Sequence, residues 1–380
     1  MNKPPYPIVV MMSDVKPFGG AENFVQLLVR YLDPGLFSRR VIVPREGAMV
    51  DRIREAGVPV DVLSLASAGD IRNFPRFLHI LQSGRVRLIN AHGVRAGLYS
   101  ALARKRLPVK VVVTEHNLQE WRGRYWPSKI DRFIARNNDK RVTVSQAVAD
   151  AMLASGVCSP DLIQVIHVAV EAGRHRPDAA RREAARRAFG IGDDELAVVA
   201  AGRFHRMKGF IHLIDAAPQI LQRVPRARII IAGDGEEMTA FRKRIDELRV
   251  GERVVLPGFI KNMPELLAAA DVFVLPSVEV EGSPREGLPM VIAEALATGC
   301  PVVTTAVSGN KEIVRDGYNG LLVAQQDAGA LADGITRILT DPDRKRMGEN
   351  ARRTVEERFS IEGVAAQYAD LFRRLIEQQR

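Results

Sequence analysis

Cysteine is almost missing from this chain: its 380 residues hold two, Cys158 and Cys300. The pair lies far apart and forms no metal-type spacing. A disulfide framework and a structural zinc site are therefore excluded, and a reducing, cytoplasmic setting is expected. Long apolar runs are missing too. None reaches the ~18 residues that a membrane-spanning helix needs. The stretch Ile8 to Met12, preceded by prolines, is too short for the apolar core of a signal peptide and reads as a strand. No G-x-x-x-x-G-K-[ST] occurs, which excludes a P-loop, and no G-x-G-x-x-G follows a strand, which argues against a dinucleotide-dependent dehydrogenase. The only D-x-D, Asp341-Pro342-Asp343, precedes a helical pattern and reads as a helix cap. No metal site is expected, and no low-complexity tract or short repeat occurs.

What is present begins with charge. The net charge is +10. Met1 to His175 carries 25 Lys+Arg against 15 Asp+Glu, whereas the remainder carries 30 against 30. The whole excess sits in the first half, where an anionic membrane surface, a phosphate-bearing acceptor or nucleic acid could use it. Arg104 to Arg141 concentrates it, with eleven Lys+Arg, four Asp+Glu and the aromatics Trp121, Tyr125 and Trp126. That mixture suits a membrane interface or a sugar-phosphate acceptor, and equally a solvated basic face. Nucleic acid ranks last, because no recognised binding module accompanies the charge.

Apolar residues make up 46% of the chain, enough for two sizeable cores. Strand and helix patterns alternate. Strands are predicted at Ile8 to Met12, Val41 to Val43, Arg87 to Ile89, Val109 to Thr114, Arg141 to Val144 and Leu162 to His167. A helix is predicted over Ala21 to Leu32, with Phe24, Leu27, Leu28 and Tyr31 on one face. The pattern breaks in the charged segment Glu171 to Arg187, read as a linker running into a helix. A second series follows at Leu196 to Ala201, Ala227 to Ala232, Val254 to Leu256, Val272 to Leu275, Val302 to Thr304 and Leu321 to Val323. The expected fold class is α/β, two doubly wound domains with ligands beyond the carboxyl ends of the strands.

Two segments of the second series carry chemistry. Gly202-Arg203-Phe204-His205-Arg206-Met207-Lys208-Gly209 follows a strand and opens a helix. Arg203 and Lys208 can place two cations over adjacent phosphates, with a helix N-terminus behind them. Glu286-Gly287-Leu288-Pro289-Met290-Val291-Ile292-Ala293-Glu294 pairs two carboxylates across a loop and the start of a buried helix, with Pro289 suited to the first turn. A carboxylate there can take a sugar diol, and free backbone donors at the helix start can hold a phosphate oxygen. In the first half, Gly19-Gly20 permits an anion-cradling turn. His116, in Thr-Glu-His-Asn at a strand end, can donate to a sugar hydroxyl or phosphate, and His92, in Asn-Ala-His-Gly, is a vaguer second candidate.

These segments resemble the GT-B retaining glycosyltransferases of family 4, the glycosyl transferases group 1. So do Ala232 to Gly235, Leu275-Pro276-Ser277, Gly299 to Val302 and Gly317 to Val323. The resemblance covers nearly the whole chain and is stronger in the second half. It implies two Rossmann-like domains facing a central cleft: an acceptor domain over 1–172, a nucleotide-sugar domain over 173–360, and a last helix over 361–380 packing back on the first. It implies that Glu294 takes the ribose hydroxyls, Glu286 the donor sugar, and Arg203 with Lys208 the diphosphate. Gly258, Phe259 and Ile260 resemble the loop whose backbone reads the base, above Leu266. By the same resemblance the backbone groups of Gly287 and Leu288 would lie near sugar and phosphate, with Gly19, Gly20 and His116 completing the site. The donor is then a nucleotide-diphosphate sugar, UDP favoured and GDP the alternative. The acceptor is a glycan or lipid-linked sugar, and no cofactor or metal is required. The expected place is the cytoplasm, peripheral on the inner membrane's cytoplasmic face. An epimerase of the same fold and a non-catalytic sugar-nucleotide binder are the alternatives. Two departures stand out. His167 to Glu171 replaces the family's Pro-Asn-Gly-Val-Asp, and Asn310 stands where a second glycine is usual.

Overall fold

The computed structural model describes residues 5–14, 19–65, 72–117, 125–280 and 286–378, with the side chains of 125–128 left out. The chain forms two compact units, residues 1–169 with 361–380, and residues 170–360.

The first unit is built on a seven-stranded parallel sheet of order β3-β2-β1-β4-β5-β6-β7. Its strands are β1 (Tyr6–Met12), β2 (Phe37–Val43), β3 (Val60–Val62), β4 (Leu88–His92), β5 (Lys110–Glu115), β6 (Lys140–Thr143) and β7 (Ile163–Val165). The central strands are apolar on both faces because helices cover both, as parallel sheets require. β3 is an addition to the predicted set: three half-buried residues with no periodicity to reveal them. Helix α1 (Gly20–Tyr31) buries Phe24, Val25, Leu27 and Leu28, the stripe that its 3.6-residue period predicts. The last helix, α15 (Ile361–Glu377), belongs to this unit, with Tyr368 against Phe24 and Phe372 against Phe37.

The second unit has a six-stranded parallel sheet of order β10-β9-β8-β11-β12-β13. It comprises β8 (Leu196–Ala201), β9 (Ala227–Ala232), β10 (Val254–Val255), β11 (Val272–Leu275), β12 (Val302–Thr305) and β13 (Gly320–Val323). Both sheets have the doubly wound order, with the winding reversing between β1 and β4 and between β8 and β11. Ligand sites of such sheets lie outside the carboxyl ends of strands at these reversals. As expected, the linker runs into a helix, α7 (Ala179–Ala188), whose first turn is capped by Asp178. The atypical segment at 168–170 is apolar and buried, and the Val170 amide donates to the Phe359 carbonyl at 2.9 Å. Val168 thus serves the core where the family motif has a polar asparagine. Asp343 holds the cap position before helix α14 (Arg344–Arg358) without accepting a backbone bond there through its side chain, which pairs instead with Arg346 at 2.9 Å, while Asp341 accepts from the Asp343 amide at 2.8 Å. The D-x-D is a turn between helices, with Asp341 ending α13 (Ala328–Thr340).

Candidate functional site

In the second unit the residues singled out converge at the reversal. β8 ends at Ala201, and the chain turns through Gly202 and Arg203 into a short 3-10 turn, Arg206–Lys208. Phe204 anchors this turn: its ring is fully buried against Phe210 and Phe241, and its amide donates to the Asp234 carbonyl at 2.8 Å. With Phe204 turned inward, Arg203 stands exposed, with no ion-pair partner among the described residues. Gly209 then opens helix α8 (Phe210–Arg223) at a φ of 65°, where a Cβ would lie 2.0 Å from the Pro276 carbonyl oxygen. Glycine is required on both counts. That close approach locks the clamp turn to the loop after β11, as does the bond from the Val278 amide to the Met207 carbonyl at 2.9 Å.

The loop after β11 carries Glu286 into contact with Lys208, Nζ to Oε1, at 2.6 Å, with both side chains mostly covered. The two residues proposed from separate motifs are one ion pair. Helix α11 (Met290–Ala297) follows, and Pro289 sits one position ahead of it rather than within its first turn. No side chain caps this start, so its first amides are left for other partners. The helix is buried all round except along Val291 and Glu294, an i, i+3 pair that opens one face. Burial lifts the Glu294 carboxyl from its ordinary 4.5 to about 7, against the opposing pull of the Arg174 charge. Below these loops, Asn310 is fully buried and donates to Thr304 Oγ1 at 2.9 Å, and Thr304 and Thr305 in turn donate to the Leu275 and Ser277 carbonyls. Gly309 lies against Gly287, where a Cβ would meet the Gly287 oxygen at 1.9 Å. Gly258, at a φ of 81°, accepts from the Gly233 amide at 2.9 Å, Phe259 next to it is 48% exposed, and Leu266 is fully buried on helix α10 (Met263–Ala268). Ile260 is half-buried in the same loop.

In the first unit, His92 ends β4 and His116 follows β5. His92 Nδ1 and His116 Nε2 are 2.8 Å apart. Burial holds both well below the ordinary histidine value of 6.5, His116 at about 4, so the pair is neutral at pH 7. Under it, Arg141 is fully buried between Glu115, at 3.3 Å, and Asp131, at 3.6 Å. Gly19 precedes α1 and Gly20 opens it, but the turn holds the protein's own carboxylate: a Cβ on Gly19 would fall 1.9 Å from Glu22 Oε2. A phosphate there must displace Glu22. Trp121, Arg122 and Arg124 lie outside the described residues, and Tyr125 and Trp126 open helix α5 (Tyr125–Arg136), their side chains not described.

Sequence reasoning passed over Arg174, the buried Asn310 network and the Arg141 cluster. Arg174 is one basic residue in a basic linker and gives no signal. Glu115 could have been found, since it sits inside the Thr-Glu-His-Asn segment. A cavity of about 480 Å³ opens at the other, amino-terminal edge of the second sheet, beside Asp271, Cys300 and Arg344. Burial pushes the Cys300 thiol up to about 12, so it is no nucleophile.

Two doubly wound units with a cation–carboxylate site at the second reversal define the GT-B type of glycosyltransferase fold. Anabaena Alr3699/HepE in complex with UDP superposes with a TM-score of 0.84 at 22% identity, over 97% of this chain and 100% of that one, a likeness of fold. Residues 18–174 match Glycosyltransferase Family 4, and residues 181–354 match Glycosyl transferases group 1. The chain belongs to the group 1 glycosyl transferases. An uncharacterized glycosyltransferase of Methanocaldococcus jannaschii is 33% identical over 195 residues, a match spanning 50% of this chain and 48% of that protein. The UDP-Gal:alpha-D-GlcNAc-diphosphoundecaprenol alpha-1,3-galactosyltransferase of Escherichia coli is 23% identical over 340 residues, 85% of this chain and 84% of that one. Among the described residues no helix is long and apolar enough to cross a membrane.

Proposed function

We propose that the protein transfers a sugar, with retention of anomeric configuration, from a nucleotide-diphosphate sugar to a glycan or lipid-linked acceptor in polysaccharide, lipopolysaccharide or glycolipid assembly. UDP is the favoured base carrier, in keeping with the nucleotide in the HepE structure and the donor in the E. coli relative's name. The carrying observation is the Lys208–Glu286 pair at the end of β8, with Arg203 exposed beside it in sequence and Glu294 on the open face of α11.

Chemically, Lys208 stands against a single negative charge, that of Glu286. A diphosphate brings more charge and competes for Lys208, which frees Glu286 to accept from hydroxyls of the donor sugar. Arg203, Lys208 and the open amides at the start of α11 then stabilise the charge that develops on the leaving diphosphate. In the same-face route the donor phosphate accepts the acceptor's proton, so no protein carboxylate acts as a covalent nucleophile. The cations take the part that a divalent ion plays elsewhere, and the basic first unit suits an anionic membrane carrying lipid-linked acceptors.

Calorimetry with UDP and GDP tests the clamp. Two charge-assisted contacts are worth roughly 1.5–3 kcal/mol each, so Arg203→Ala or Lys208→Ala should weaken binding about tenfold or more. Unchanged affinity in both variants overturns the assignment. Incubation of donor alone separates transfer from epimerisation.

A further inference from the structure

A chain of hydrogen bonds runs through the first unit and ends at His116. Tyr368 of α15, fully buried, lies 3.4 Å from Thr114 Oγ1. Asn90 Nδ2 donates to that same Thr114 Oγ1 at 2.9 Å, which leaves Asn90 Oδ1 at 2.7 Å from His92 Nε2. His92 Nδ1 then meets His116 Nε2 at 2.8 Å. Asn90 and Thr114 are fully buried and His92 nearly so, while the His116 ring keeps partial exposure.

The directions of these bonds settle where the protons sit. A carboxamide oxygen only accepts, so the contact with Asn90 Oδ1 puts a hydrogen on His92 Nε2. A neutral imidazole carries one N–H, so His92 Nδ1 is a bare lone pair. The proton in the contact between the two rings must come from His116 Nε2. His116 is neutral as well, so its Nδ1 carries no hydrogen. No described residue bonds that nitrogen. Among the described residues, Glu115, whose charge reaches the ring, faces Arg141 at 3.3 Å, and the edge of Phe24 lies 5.6 Å from the ring centre.

We propose that His92 is a positioning residue that holds His116 in its Nε2–H form, so that His116 offers Nδ1 as an acceptor to a substrate hydroxyl and not to a phosphate. A sugar hydroxyl has a proton to give, whereas a phosphate at neutral pH presents acceptor oxygens and would meet a lone pair. That the hydroxyl belongs to a sugar rests on the glycosyltransferase reading; the tautomer does not.

Long-range proton–nitrogen NMR on the full-length protein with ¹⁵N-labelled histidine reads both rings without substrate. At pH 7.5 both should be neutral with hydrogen on Nε2. His92→Asn keeps an acceptor near the Nδ1 position and should preserve the His116 tautomer and turnover within a few-fold. His92→Phe removes the acceptor. It should give His116 a mixture of tautomers and lower kcat about 10- to 100-fold with donor KM unchanged, because the proposed diphosphate clamp and ribose carboxylate belong to the second unit. His116→Asn, which places an oxygen near Nδ1, should outperform His116→Gln, which places its amide near Nε2. A wild-type His116 bearing its hydrogen on Nδ1 overturns the proposal, as that state requires the Asn90 amide to run the chain the other way. So does wild-type kcat in His92→Phe. If His92→Phe fails to fold, the wild-type tautomer and the order of the two His116 variants decide. If no donor is turned over at all, the function reading fails and the NMR result stands by itself.

Discussion

Replacing Glu294 by Gln should strengthen the empty protein and weaken the liganded one, and the balance should turn on pH. Folding lifts this carboxyl from 4.5 to about 7, so the folded state holds its proton where the unfolded chain has lost it. Between pH 4.5 and 7 the native state therefore binds more protons, and stability falls as pH rises through that window. At about 1.4 kcal/mol per pH unit, the full lift costs about 3 kcal/mol above pH 7. The side chain is partly exposed, and water lowers that penalty to about 1–3 kcal/mol. Gln carries no charge and escapes it. For a unit of this size each kcal/mol moves Tm by roughly 2–4 °C, so Glu294→Gln should melt a few degrees higher at pH 8 and level with the parent near pH 4.5. Nucleotide binding should move oppositely. An ionised carboxylate accepts both ribose hydroxyls, an amide accepts less strongly, and loss of charge assistance should cost about tenfold or more in UDP affinity at pH 8. In the parent, binding should expel a proton below pH 7, and affinity should fall by up to about tenfold per pH unit there. Scanning calorimetry and titration calorimetry across pH 5–8 measure both halves. A Tm difference that ignores pH refutes the burial argument. UDP affinity unaltered in the variant refutes the ribose assignment.

Three further expectations can be checked directly. Glu286→Gln removes the Lys208 partner with little change in volume and should reduce turnover of intact donor more than it changes UDP affinity, as initial rates against calorimetry will show; the reverse pattern rejects the sugar-side role. Transfer should survive EDTA, since Arg203, Lys208 and the start of α11 supply the positive charge, and loss of activity restored by manganese would contradict this. Anionic liposomes should sediment the protein at low salt and release it at high salt, with weaker binding after Arg122, Arg124 and Lys129 are replaced by Glu; a protein that stays in the supernatant at low salt shows that the basic first half serves something else.

The strands of the second unit were legible almost to the residue because both faces are buried. Leu196–Ala201 and Val272–Leu275 are continuous apolar runs, Ala227–Ala232 is interrupted only by Arg228, and each ends at a Gly or Pro. β2 starts four residues earlier than its apolar core, at Phe37, because Arg39 and Arg40 stand at the edge of burial and reach polar partners: Arg39 caps the end of α1, and Arg40 pairs with Asp61. β3 escaped because three half-buried residues carry no period. The motif residues of the site were legible as residue types at strand ends. Their pairing was not, because sequence states neither that Lys208 and Glu286 share one ion pair nor that Glu22 folds over Gly19.

The two histidines show the limit most clearly. His92 and His116 each follow the same local pattern, an imidazole at the carboxyl end of a buried strand, and sequence ranks them separately. β4 and β5 are adjacent in the sheet, with His92 in register with Thr114. That register carries the His92 ring to the His116 ring and sets Asn90 beside Thr114, so one pairing of strands creates the whole relay. Its far end is Tyr368, 254 residues beyond Thr114, on a helix that returns to the first unit only after the second has been built. Local pattern can propose a histidine. In the proposed arrangement, which of its nitrogens faces the substrate is set by the Asn90 carboxamide and passed on by His92, residues brought together by topology, and that makes the protonation state of the site a property of the fold.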